Sequence, residues 1–184
     1  VDPVTFNIDP EKIAAAIKPG TKAIGPVHLS GRCADMDTIA EVAGEIPLVE
    51  DAACAAGAAY RGRPAGSLGR IGCFSFHPRK IITTGEGGMV TTNDDQLAER
   101  INMLRNHGAS LSEEQRHHGA KPYLLPDFNM LGFNYRMTDL QGAVGIVQLT
   151  KLDEFVAERR RLAAEYTRQL ANIAWLPAPI VNEA

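Results

Sequence analysis

AIGPVHLSGRCADMDTIAEVAGEIPLVED, residues 23–51, carries the pattern that decides the fold. Ala23 to Leu29 is a short apolar run of strand length. Asp37 can cap a helix that carries Ile39, Val42 and Ala43, and Ile46 to Glu50 is a second apolar run ending at Asp51. The alternation extends in both directions. Upstream, Asp9 is an N-cap, Pro10 takes the first helical position, Ile13 and Ile17 share a face, and Gly20 stops the helix. Downstream, residues 52–70 are rich in Ala and Gly, with a turn at Tyr60-Arg61-Gly62-Arg63-Pro64. Ile71 to Phe76 reads as a buried strand, and Met89 to Thr92 as another that follows the turn Gly85-Glu86-Gly87-Gly88. Asn93 with Gln96 makes a capping box, and Leu97, Ile101 and Leu104 line the helix it opens. Residues 109–130 read as a long polar loop. Thr138 with Gln141 forms a second capping box, opening a helical region past Leu170. Strands alternating with helices specify an α/β domain with a mostly parallel sheet and flanking helices. Ligands of such sheets sit beyond the carboxyl ends of the strands, where Asp51 and the segment Ser75 to Lys80 both fall.

Bulk properties exclude several functions. A formal net charge of −3 gives no electrostatic footprint for nucleic acid. The one dense basic run, Arg159-Arg160-Arg161, lies between Glu158 and Glu165 in a helical pattern and reads as a solvated helix face rather than a phosphate-binding patch. Cys33, Cys54 and Cys73 are odd in number and form no C-x-x-C pair, so neither a disulfide framework nor a zinc site is expected. That usage fits a reducing, cytoplasmic setting. The five histidines have no metal-ligand spacing, so no metal site is expected. No apolar run approaches membrane-spanning length, and no secretory signal opens the chain. Val1 to Ile8 reads as the end of an extended segment, and the stretch with Pro177 and Pro179 as a linker. The chain is therefore expected to be a piece of a longer protein.

An amine, a carboxylate and a hydroxyl at neighbouring strand ends match the needs of pyridoxal 5′-phosphate (PLP). That cofactor requires an imine-forming lysine, a carboxylate to keep its pyridine nitrogen protonated, and a cradle for its phosphate. Lys80, Asp51 and Ser75 are the candidates. Read singly, each has a plainer alternative: Asp51 can cap a helix over Ala52 to Ala56, Lys80 can be a surface lysine, and Ser75 can satisfy a backbone carbonyl. The Gly85-Glu86-Gly87-Gly88 turn does not fit a dinucleotide fingerprint, because a strand pattern rather than a helix follows it, and no Gly-Lys-Ser/Thr exists for a P-loop.

Together these residues resemble the DegT/DnrJ/EryC1/StrS family of sugar aminotransferases, which are fold-type I PLP enzymes of the aspartate aminotransferase kind. The resemblance rests on Glu50-Asp51-Ala52-Ala53, on Gly66-Ser67-Leu68-Gly69, and on SFHPRKIITTGEGGMVTTND over residues 75–94. LRNHG at 104–108 and GFNYRMTDLQGAVGIVQL at 132–149 complete it. It implies that residues 1–150 are part of the PLP-binding large domain, and that 151–184 are a long connecting helix and the start of a small C-terminal domain. Lys80 then matches the Schiff-base lysine and proton shuttle, Asp51 the partner of the pyridine nitrogen, Ala53 the small residue against the ring, and Ser75 a hydroxyl on the phosphate. Asn134 matches an asparagine that reaches the phosphate of the neighbouring subunit, which implies a homodimer with shared active sites. Cys54 departs from the pattern: the family usually has Gln there, contacting the ring oxygen, and a thiol is a much weaker partner.

The activity implied is amino transfer, typically from glutamate, to a keto sugar on a nucleotide carrier. Two other readings are a sugar dehydratase of the same family, which Lys80 opposes because those members replace the lysine, and a non-catalytic regulatory protein that keeps the fold. The family's phosphate-binding helix N-terminus and stacking aromatic lie upstream of the matching region. The 184-residue chain alone is therefore expected to bind PLP poorly.

Overall fold

The computed structural model describes residues 1–111 and 113–176; the Pro177 and Pro179 stretch read as a linker lies outside them. The chain divides into two compact units, one of Val1–Thr91 with Leu140–Ala184 and one of Thr92–Asp139.

In the first unit, a 3-10 turn over Pro10–Lys12 runs into α1, Ile13–Ala16, followed by α2, Met36–Ala43. The strands are β1, Val49–Asp51; β2, Ala59–Tyr60; β3, Arg63–Pro64; β4, Ile71–Ser75; and β5, Gly88–Thr91. The main sheet has the order β1-β4-β5. β1 and β4 are parallel, with Asp51 opposite Cys73, and β5 runs antiparallel to β4, with Gly88 opposite Ser75. The expected strand at 23–29 joins the other edge of β1 through two parallel bridges only, Ile24 to Leu48 and Val27 to Asp51. Pro26 has no N–H to give to a ladder, although its carbonyl accepts the Asp51 amide at 2.9 Å. The sheet is thus mostly parallel with one antiparallel strand, as the alternation implied.

The core forms where α1 and α2 cover the 24–27 and β1 segments. Ile13, Ile24, Met36, Ile39, Ala43 and Leu48 are buried together. Full burial of a side chain such as Ile39 stabilises the fold by about 1.5–3 kcal/mol. Met36 opens α2, and this moves the cap to Asp35, whose carboxylate accepts the Thr38 hydroxyl at 2.8 Å. The expected cap, Asp37, instead pairs with Arg61 at 2.7 Å and with Arg63. Arg61 lies in the β2–β3 turn and Arg63 opens β3; Arg61 (φ 50°) and Gly62 (φ 76°) both adopt left-handed backbone, as a two-residue type I′ hairpin requires.

The N-terminal expectations hold in part. Asp9 caps the first turn, accepting the Glu11 amide at 3.1 Å. The helix ends at Ala16 rather than Gly20, because Ile17 turns extended and Lys18 precedes Pro19. Val1 to Ile8 is a turn closed by Asp2, whose carbonyl accepts the Phe6 amide at 2.9 Å, and not an extended segment.

The second unit holds α3, Asp95–Arg105, and α4, Glu113–His118, the latter inside the region expected to be loop. Asp94, not Asn93, caps α3, accepting the Leu97 amide at 3.1 Å. Leu97 then stands where a capping box needs Glu or Gln. α5, Asp139–Leu149, begins after Thr138 as expected. The long helix does not run unbroken: α6, Leu152–Leu170, starts anew after Thr150 and Lys151.

Candidate active site

Because β1 and β4 are parallel neighbours, their carboxyl ends bring Asp51 and Ser75 to one end of the sheet. No helix follows Asp51; residues 52–57 form two turns, so the helix-cap reading has nothing to cap. Asp51 Oδ1 accepts the Ala53 amide at 3.1 Å, while Oδ2 takes no hydrogen bond from the described residues. The side chain is exposed, more open than a shielded ring partner would need to be. Ala53 is half-buried on the same turn.

Beyond β4 the chain tightens. Ser75 Oγ accepts the His77 amide at 3.3 Å, which leaves its own proton uncommitted, and the Lys80 amide donates to the His77 carbonyl at 2.9 Å. The return to β5 is tied down by Thr83 and Thr84, which bond the Phe76 and Glu86 carbonyls, and by Gln141 Nε2, which donates to Glu86 O at 2.8 Å. Lys80, half-buried, projects from this loop and places Nζ 3.2 Å from Cys54 Sγ. That contact joins the loop after Asp51 to the loop after Ser75. At position 54 a thiol therefore faces the lysine amine.

Beneath the site lies a pair that sequence reasoning passed over. His28 and Glu50 are wholly buried and meet at 2.9 Å, Nε2 to Oε2. His28 Nδ1 accepts the Ala34 amide at 3.2 Å, so the ring is neutral and its proton sits on Nε2. Glu50 also accepts the amides of Gly66 at 2.7 Å, Leu68 at 2.7 Å and Gly69 at 2.6 Å. Burial by itself would raise its carboxyl, but the hydrogen bonds from His28, Gly69, Gly66 and Leu68 outweigh that and hold it below the ordinary carboxylate range. The available signal was a lone Glu directly before Asp51 inside an apolar run. Cys33, nearby, is pushed up to about 11 by burial and then by the Glu50 charge, which leaves it an inert thiol.

Lys80 and Cys54 open into a hollow of about 380 Å³ that Gly31, Arg79, Arg159 and Arg160 also line. The arginine run therefore splits. Arg161 pairs with Glu158 at 2.7 Å on the solvent side, as expected, whereas Arg159 and Arg160, themselves exposed, also line the rim of the hollow.

Asn134 belongs to the second unit, exposed and bridged to Asn106, whose side chain accepts Arg136 Nη1 at 2.7 Å. Among the described residues no cluster of three or more His, Cys, Asp or Glu could hold a metal ion, and no helix is long and apolar enough to cross a membrane.

An amine, an open carboxylate oxygen and a free hydroxyl proton at one sheet end form a donor set that suits PLP. The profile of the DegT/DnrJ/EryC1/StrS aminotransferase family matches residues 1–183. The chain belongs to that family of PLP-dependent aminotransferases. It is 49% identical over 174 residues to the GDP-perosamine synthase of Caulobacter vibrioides, covering 94% of this chain and 44% of that protein. It is 43% identical over 173 residues to a pleiotropic regulatory protein of Geobacillus stearothermophilus, covering 92% and 43%. The fold superposes on the crystal structure of an aminotransferase from Psychrobacter cryohalolentis with a TM-score of 0.91 at 39% identity, covering 100% of this chain and 48% of the other. The chain thus spans a little under half the length of each.

Proposed function

We propose that the whole protein is a PLP-dependent aminotransferase that moves an amino group from glutamate to a keto sugar carried on a nucleotide. The observation that carries this reading is Lys80, a half-buried residue beyond β4 whose Nζ stands 3.2 Å from Cys54 Sγ on the loop that leaves Asp51. When bound, PLP supplies an electron sink for the carbon that gains or loses a proton. Lys80 would hold the cofactor through Nζ and, as a free amine, would move a proton between the substrate carbon and the cofactor carbon. Asp51 Oδ2, unpartnered within the described residues, holds the proton of the pyridine nitrogen. Ser75 donates its free hydroxyl proton to the phosphate, Ala53 packs against the ring, and Cys54 offers only a weak contact to the ring oxygen. Residues 1–150 form part of the large domain and 151–184 the long connecting helix and the start of a small C-terminal domain, a reading that the break before α6 supports. Asn134 serves the neighbouring subunit of a homodimer. Free Cys33, Cys54 and Cys73 fit a cytoplasmic protein.

The test is borohydride reduction of the full-length protein with PLP, followed by peptide mapping. A reduced pyridoxyl group on Lys80 is expected. In K80A it should vanish, with amino transfer down by a factor of about 10³ or more. Label on another lysine, or none, would sink the reading.

A further inference from the structure

α6 presents Leu152, Val156, Arg159 and Arg160 on one stripe at helical spacing, apolar for its first two members and cationic for its last two. The apolar half seats the helix. Gly57, at φ +79°, lies so close that a Cβ there would stand 2.8 Å from Val156 Cγ2 and 3.4 Å from Leu152 Cδ1. One turn further on, Arg159 and Arg160 reach the hollow that Lys80 and Arg79 line from the opposite loop. Among the described residues no carboxylate lines it. Among the described residues Arg79, Arg159 and Arg160 have no ion-pair partner, whereas Arg161 and Arg168 on the same helix are paired with Glu158 and Glu165. Cations gathered in a concave site without a counter-charge repel one another and focus a positive potential on whatever enters. Guanidinium groups are also the donors best shaped for the paired oxygens of phosphate and carboxylate.

We infer that Arg159 and Arg160, with Arg79, bind an oxyanion group of a substrate that reacts at Lys80. The inference rests on the proposed function and adds two residues of α6 to its site. Such a group has two sources, the diphosphate of a nucleotide-linked sugar and the carboxylate of an amino donor. Calorimetric titration of the full-length, cofactor-loaded protein with inorganic diphosphate and, separately, with the unreactive dicarboxylate glutarate tells them apart. R159Q/R160Q should weaken one probe by about tenfold or more, as loss of charge-assisted hydrogen bonds implies. R161Q should bind both as the unsubstituted protein does. Loss of diphosphate binding assigns the sugar carrier, and loss of glutarate binding the donor.

R159K/R160K keeps the charge but not the fork and should fall between, so the comparison survives even if the glutamine pair fails to fold. Unchanged affinity for both probes in either pair overturns the inference. So does a pyridoxyl content that falls in step with the substitutions, because the charges would then serve the cofactor phosphate. If Lys80 takes no label even in the unsubstituted protein, the aminotransferase reading fails instead, and the two failures are separable.

Discussion

Glu50 takes the His28 ring and Gly66 amide on Oε2 and the Leu68 and Gly69 amides on Oε1, with no exposure to water. It ties the 66–69 loop to β1, whose last residue is Asp51. Its carboxyl lies below its ordinary 4.5 in the folded chain, because the hydrogen bonds outweigh the cost of burial. A group depressed on folding contributes its full stabilisation above the unfolded value and loses it as pH falls through the lower folded value. Urea midpoints should therefore be flat from neutral pH down to that ordinary value and drop below it, and the drop should be shallower in E50Q. At neutral pH E50Q should lose about 3 kcal/mol, since an amide nitrogen would face backbone donors that need an acceptor. A midpoint that E50Q leaves unmoved would show that Glu50 ties nothing down. Asp51, Ser75 and Lys80 were legible because strand ends are marked by where an apolar run stops. Glu50 was not, because an apolar run does not say which of its polar members is buried, and four backbone and ring donors from distant segments decide that.

Helices and strands were readable where the local signal is self-contained. The type I′ turn at Arg61-Gly62 and the Asp9 cap follow from residues a few positions apart. The misreadings have two kinds of cause, packing that shifts a boundary and a proline whose missing N–H was not weighed. Met36 draws the start of α2 back so that Asp35 caps it, and Pro26 thins the first strand to two bridges. The seat of α6 was likewise invisible, because it depends on a glycine about a hundred residues earlier in the chain meeting a valine. Gly57→Ala puts a Cβ at a left-handed φ, costing about 1–2 kcal/mol, and drives it onto Val156, costing about 1–3 kcal/mol more. Val156→Ala in the same protein should relieve the second cost and leave the first. Denaturation of both single variants and the double should then show the double less destabilised than the sum by about 1 kcal/mol or more. Strict additivity would mean that α6 does not rest on Gly57.

At the scale of the molecule, the composition of α5 is the outstanding feature. Leu140 is 82% exposed and Ile146 68%, with Val144, Val147 and Leu149 also open, more apolar surface on one helix than a solvated face carries. The homodimer proposed above would supply a covering for it if its two-fold axis brought this helix from both copies to one interface. The sharing has a consequence that separates it from mere dimerisation. If each site takes Lys80 from one subunit and Asn134 from the other, K80A and N134A homodimers are both impaired, each for a different half of the same site. Mixed dimers would then hold one site with both defects and one with neither. Unfolding the two variants together and refolding them should return activity that neither shows alone, with cofactor labelled only on the N134A subunit's Lys80. If Asn134 serves its own subunit, every site in the mixture keeps one defect and no activity returns. Recovery that grows with the proportion of mixed dimers, resolved by tagging one variant, supports the shared site. Tagged mixed dimers as inactive as their parents refute it, even with the interface intact.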